Sequence, residues 1–312
     1  MPSALGRILV TGANGNLGRR LIERLADAEA PSAPVRALVR SERAAATLRA
    51  LPPHCAPEIR IVDYRDAEAM ERAAQGCAGI VHLVGILKET PQTRYVEAHE
   101  NVTRVLLAAA NRAGCRRVVY LSILGARPDS DNRCLASKAR AERMVLDDAA
   151  AGTVLRVPMV LGSDDYAARA LAARARARWV PLVRGGASLE QPIDAADVVE
   201  AILSALARDD LAGEALDLAG PESLPQRALL ERAAALCGRR PVVLPVPAGL
   251  VRLAARVLER LLANPPLTPD MLGVLEHDDR IDPLPACKRL GISLTPLDTT
   301  LRRTVAAARG PQ

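Results

Sequence analysis

Three glycines at three-residue intervals mark the first chemistry this chain offers: Gly12, Gly15 and Gly18 in Thr11-Gly12-Ala13-Asn14-Gly15-Asn16-Leu17-Gly18. At the first position glycine permits a sharp turn, and at the second it leaves room for a pyrophosphate. At the third it lets a helix pack close to a strand. The helix that opens there offers unpaired N–H groups and a positive dipole end to phosphates. Asn14, Asn16 and Leu17 lie in the same turn and are assigned to the ligand with it. A second group of side chains falls at the ends of later apolar runs. Arg40 cannot accept from ribose hydroxyls, as an acidic residue would, but it can pair bidentately with a 2′-phosphate. It favours NADP(H) over NAD(H), unless it only lies over the adenine. Asp63, with Tyr64 beside it, can accept from an adenine amino group or cap the following helix. Leu83, Val84 and Gly85 end a further run, where a small residue permits close approach of a cofactor.

These residues need strands to carry them and helices to space them. Ile8 to Val10 is apolar and Leu17 to Ala28 has helical periodicity, so the glycine turn joins a strand to a helix. The alternation continues with strands Val35–Arg40, Ile59–Asp63, Gly79–Val84, Arg117–Ser122 and Val154–Val157. The intervening helices are Ser41–Leu51, Asp66–Gln75, Tyr95–Ala113 and Leu135–Ala150. Near-continuous apolar strands separated by helices predict an α/β fold, a doubly wound parallel Rossmann sheet with a smaller, interleaved C-terminal lobe. The dinucleotide domain is assigned to residues 1–162 with a return segment at about 190–220. The lobe, for substrate or partner, takes 163–189 and 221–312. Beyond Val160, Ala167–Trp179 reads as helix, Pro181–Gly186 as loop, Val198–Leu206 as helix and Ala215–Leu218 as strand. Further helices fall around 225–237 and 248–263.

Composition excludes several alternatives. Nearly half of the 312 residues are apolar, yet none is Phe, so the core must be built from Ala, Leu and Val. The net charge of +6 suits an anionic cofactor or surface. No basic stretch is interleaved with aromatics, which argues against nucleic acid. The six cysteines form no C-x-x-C pair and the four histidines lack ligand spacing, so no metal and no disulfide framework are expected. A reducing cytoplasm is the expected compartment, on the inner face of a membrane if on any. The first strand starts too early for a targeting segment, and no apolar stretch reaches transmembrane length.

With the glycine turn stand Asp63-Tyr64, Leu83–Gly85, Asn101, Leu121-Ser122, Ser137-Lys138, Arg156-Val157-Pro158 and Pro192–Asp197. Over residues 7–220 the chain resembles the short-chain dehydrogenase/reductase superfamily in its extended or atypical form. More narrowly, it is similar to the group containing the accessory, dehydrogenase-like subunit of respiratory complex I and its bacterial relatives. The stretches carrying that likeness are His82–Leu87, Glu97-Ala98-His99, Leu218–Glu222 and Leu290-Gly291-Ile292 with Thr295-Pro296-Leu297. The resemblance implies an Asn101 that helps hold an active-site water chain. It also implies a catalytic Ser, Tyr and Lys, with the Lys four residues after the Tyr. The Tyr moves the proton, the Lys lowers the phenol pKa and clasps the nicotinamide ribose, and the Ser orients a carbonyl. Ser122 and Lys138 match, but position 134 is Cys134, and no tyrosine in the chain has a lysine four residues on.

A thiol ends several ångströms short of a phenol hydroxyl, so Cys134 reads as apolar filler more readily than as an acid. The resulting expectation is a protein that holds NADPH for structure, assembly or sensing, with a respiratory-complex or membrane-surface partner. The alternative is an NADP(H)-dependent reductase, or an epimerase or isomerase acting on a small molecule or nucleotide sugar. In that reading Ser122, Lys138 and Cys134 or a water carry the chemistry. His82 and His99 read as packed core histidines, and Lys88-Glu89-Thr90 as a loop or lid over the nicotinamide end. The Arg cluster from Arg169 to Arg178 reads as a solvated helix face or an anion site. The amphipathic helix over Gly249–Ala263 fits a membrane surface, a partner groove or the core of the lobe.

Overall fold

The computed structural model describes residues 6–27, 33–148, 152–163 and 165–307; the expected helix ends at Ala28 and Ala150 lie outside the described residues. The first half alternates as the apolar runs require: β1 (Ile8–Thr11), α1 (Asn16–Ala26), β2 (Val35–Val39), α2 (Glu42–Arg49), β3 (Glu58–Ile61), α3 (Ala67–Ala74), β4 (Gly79–His82), α4 (Val102–Ala113), β5 (Arg117–Ile123), α5 (Arg133–Leu146) and β6 (Gly152–Val157). Ser41 and Asp66 cap α2 and α3 through side-chain oxygens. The long helix expected from Tyr95 opens instead with a π-helical turn, Val96–Asn101, before α4. Such turns recur at functional sites.

The second half contains β7 (Val160–Leu161), α6 (Tyr166–Arg176), β8 (Trp179–Val183), β9 (Leu189–Glu190), β10 (Ile193–Asp194), α7 (Ala195–Ala207), β11 (Ala215–Asp217), β12 (Leu224–Pro225), α8 (Gln226–Leu236), β13 (Val242–Val246), α9 (Ala248–Leu261), α10 (Pro269–Leu275), α11 (Leu284–Leu290) and α12 (Leu297–Ala307). The central sheet has seven parallel strands in the order β11-β6-β5-β4-β1-β2-β3. From β1 the chain winds outward through β2 and β3, then crosses to place β4 on the other side of β1. The carboxyl ends of β1 and β4 therefore flank the crevice where such sheets bind ligands.

Every residue of β1, β2 and β4 is buried, because helices cover both faces. One face packs Leu21, Ile22 and Leu25 of α1 against Val198 and Ile202 of α7. The other buries Met70, Leu106 and Val145. In the absence of phenylalanine, Tyr64, Tyr95 and Tyr120 supply the buried aromatic area.

In the lobe, α6, α8 and α12 pack around Leu171, Leu229 and Leu301. Residues 181–186 are not simply a loop: Pro181 to Val183 belong to β8, which pairs in parallel with β13. Trp179, expected to end a helix, starts that strand; it is 53% exposed, with the Arg178 guanidinium 5.5 Å from its ring centre. Among the described residues no helix is long and apolar enough to cross a membrane.

Candidate functional site

The glycine turn is held by its neighbours. Gly12 adopts φ +67°, and a Cβ there would lie 3.2–3.3 Å from the backbone of Leu83 and Val84. Its N–H donates to the Tyr64 hydroxyl at 3.1 Å, which donates to the Leu38 carbonyl at 2.7 Å. Tyr64 is thus buried beneath the turn as its support, and burial pushes its phenol up to about 12. Gly15 starts α1 without a side-chain cap, leaving the first-turn N–H groups for an anion. A Cβ on Gly18 would come 2.5 Å from the Ala13 carbonyl, so the third glycine is a packing requirement. Asn14 is exposed, and Leu17 packs at the edge of the core. The Asn16 amide is spent on the Ser163 carbonyl at 2.9 Å, with Arg20 bridging both residues.

Arg40 is exposed just beyond β2, and its charge helps hold Asp63 ionised. The main cause is Arg65, whose side chain and N–H donate to the Asp63 carboxylate, lowering it to about 2. Asp63 does not cap the next helix; Asp66 does.

At the other end of the crevice, Gly85 faces Lys138: a Cβ there would be 3.0 Å from Nζ and 3.8 Å from His99 Nε2. Lys138 projects from α5, donates to the Leu121 carbonyl at 3.0 Å, and sits 4.6 Å above the Tyr120 ring. Burial lowers it to about 8. Ser122 Oγ is buried and lacks a hydrogen-bond partner among the described residues, as does His99 Nδ1. Cys134, in the first turn of α5, is wholly buried, with Sγ 3.6 Å from the Ile86 carbonyl. Burial raises its thiol to about 12, so it stays protonated and turned toward the backbone.

Two features of the crevice were not legible in the sequence. Thr11 and His82 face each other across the β1–β4 register, and Thr11 Oγ1 lies 2.6 Å from His82 Nδ1. Because Thr103 donates to the His99 carbonyl, His82 Nε2 is assigned the proton it gives to Thr103, at 3.1 Å. His99 in turn accepts from the Ile86 N–H, and burial lowers both rings to about 3. Both histidines are packed and neutral. Asn101 is engaged away from this network by Glu97 and Arg104.

The second feature is a clasp over the loop after β4. Arg133 binds Glu89 at 2.9 Å, Asp270 at 2.8 Å and Glu259 at 3.4 Å, while Lys88 reaches the Pro265 carbonyl at 2.9 Å. Acidic residues after position 250 carry no sequence signal tying them to Arg133.

The arrangement fits a dinucleotide: an uncapped helix start at the exposed Gly15, Gly85 set against the Lys138 ammonium, and a buried Ser122 hydroxyl without a partner among the described residues. A family model described as NAD(P)H-binding matches residues 12–209. The mouse mitochondrial NADH dehydrogenase [ubiquinone] 1 alpha subcomplex subunit 9 is 27% identical over 241 residues, covering 76% of this chain and 63% of the relative. The mitochondrial NADH-ubiquinone oxidoreductase 40 kDa subunit of Neurospora crassa is 25% identical over 221 residues, covering 71% and 58%. The match thus spans about three-fifths of the length of these relatives. Among solved structures, a putative epimerase from Burkholderia cenocepacia superposes with TM-score 0.74 at 22% identity, covering 99% of this chain and 100% of that one. The UDP-N-acetylglucosamine 4-epimerase of Bacillus cereus gives 0.71 at 17% identity, covering 97% and 99%. The chain belongs to the NAD(P)H-binding family, as a short-chain dehydrogenase/reductase-like relative of the complex I accessory subunit.

Proposed function

We propose that the protein holds NADP(H) as a slowly exchanging ligand, in a structural, assembly or sensing role. The observation that carries this is the pairing of a complete nucleotide crevice with a blocked proton donor. Gly12, Gly15 and the start of α1 would bind the pyrophosphate, Arg40 the 2′-phosphate, and Lys138 the nicotinamide ribose. When bound, the nicotinamide supplies a hydride. The proton that must accompany a reduction has no donor at Cys134, whose protonated thiol is buried against the Ile86 carbonyl. Residues 1–162 with about 190–220 would carry the nucleotide, and the remainder a partner surface. The relatives named as NADH dehydrogenase subunits support a multisubunit partner. The free cysteines, all but Cys237 buried, support a cytoplasmic setting.

The test is the dissociation rate of NADPH from purified protein, with NADH as comparison. NADPH is expected to co-purify and to leave far more slowly than a catalytic cycle, and Arg40→Asp to shift the preference toward NADH by about tenfold. Exchange within a catalytic cycle, with carbonyl or nucleotide-sugar turnover, would replace this reading by a reductase or epimerase. The buried Ser122 hydroxyl, without a hydrogen-bond partner among the described residues, favours that second reading. It requires turnover to fall when Ser122 and Lys138 are both replaced.

A further inference from the structure

The helix α9 is mounted with its apolar stripe facing away from the protein. Of its 14 residues only Ala255 is buried. Its inner side is tied by polar contacts, Arg252 to Glu276 at 2.7 Å and Glu259 to Arg133 at 3.4 Å. Leu250, Leu253, Val257 and Leu261 are 61%, 58%, 45% and 75% exposed. At about 100° per residue these four fall within an arc of about 80°, opposite Glu259. Arg256 and Arg260 run along one edge of the stripe, exposed and without an ion-pair partner among the described residues. Scattered exposed leucines need no explanation, whereas a continuous stripe rimmed by charge marks an interaction surface.

We infer that this face of α9 docks on an anionic lipid bilayer surface, lying in the interface with the stripe among the acyl chains and the arginines at the headgroups. Charge selects this occupant. Two unpaired guanidinium groups beside an apolar stripe complement lipid phosphates. A second copy laid on the same face would bring Arg256 and Arg260 against their equivalents. The single carboxylate of α9, Glu259, is on the far side and already engaged, so it cannot neutralise them. A helix of about 21 Å is too short to cross the hydrocarbon core of about 30 Å, so the contact is peripheral. This inference is independent of the nucleotide site.

The experiment is flotation of the full chain with vesicles of equal parts phosphatidylglycerol and phosphatidylcholine, and with phosphatidylcholine alone. The protein is expected to float with the anionic vesicles only, and less so as salt is raised. Leu253→Glu with Val257→Glu, and separately Arg256→Glu with Arg260→Glu, are expected to lower binding by about tenfold or more. All four positions are exposed, so NADPH affinity and far-ultraviolet circular dichroism should stay as in the parent; this separates loss of docking from loss of the fold or the nucleotide site. No flotation with anionic vesicles, or equal flotation of parent and variants, would overturn the proposal. So would a concentration-dependent dimer in sedimentation that the leucine and valine substitutions abolish, which would assign the face to a second copy.

Discussion

Cys134 stands where the family resemblance implies a tyrosine, and its smaller side chain is fully enclosed. Cys134 is 0% exposed, with Ile86 against its sulfur and Tyr95 and Asp270 near enough to act on its charge. Cys134→Tyr is therefore expected to cost about 1–3 kcal/mol of stability by overpacking and to confer no reductase turnover. Urea denaturation and an NADPH-oxidation assay check this, and a stable, active variant would show that only the phenol is lacking. The tyrosine is an expectation of the family resemblance, and the residue four before Lys138 is Cys134. What supports the glycine turn could not be read in this way. The Tyr64 hydroxyl is used on Gly12 and Leu38, a support that its place beside Asp63 does not reveal. The Thr11–His82–Thr103 chain likewise exists only because β1, β4 and α4 bring distant residues together.

Between the sheet and the lobe, the loop after β4, which the sequence leaves open as a loop or a lid, is fastened. Arg133 joins it through Glu89 to α9 and α10, and Gly125, just past β5, packs so closely on His277 that a Cβ would come within 2.5 Å of the ring. Arg133 is 56% exposed, but Glu89 and Asp270 are only 14% and 11% exposed, so removing the guanidinium leaves two largely buried carboxylates without it. Arg133→Ala is thus expected to lower stability by about 1–3 kcal/mol and to speed amide hydrogen exchange over 265–277. Unchanged exchange there would mean that packing alone holds the clasp. The strands and helices of the first half were legible because each buried strand is mostly apolar and each helix is marked by caps or glycine. Beyond Val160 that logic weakens. The partner of β8 lies about sixty residues away in β13, and a prolines-and-valines segment reads as strand only once that pairing is known. For α9 periodicity revealed an apolar stripe but not that it points outward.

The two buried neutral histidines set how the protein responds to acid. Their folded values, about 3, lie below the ordinary 6.5, so below pH 6.5 the unfolded chain binds protons that the folded chain refuses. The two rings then make stability fall as pH drops from 6.5 toward 3, with a limiting slope of about 2.7 kcal/mol per pH unit. Between 7 and 4.5 this is opposed by Glu190, which burial raises to about 7 so that the folded chain takes up that proton first. Lys138, lowered from 10.5 to about 8, acts on the alkaline side: between those values the unfolded chain holds the extra proton, so stability rises with pH. Urea midpoints of the parent and of Glu190→Gln across this range check both signs, and a flat profile between pH 6.5 and 4.5 in the variant would mean that water reaches the histidines. The alkaline rise should disappear in Lys138→Met. The exposed Trp179 has a practical consequence for such measurements. It is the only tryptophan in the chain and stands on the β8–β13 ribbon, whereas the sheet core is dark except for tyrosine. Emission from this indole therefore reports the ribbon, and a melt of the nucleotide crevice would pass unseen in a fluorescence trace that circular dichroism would record.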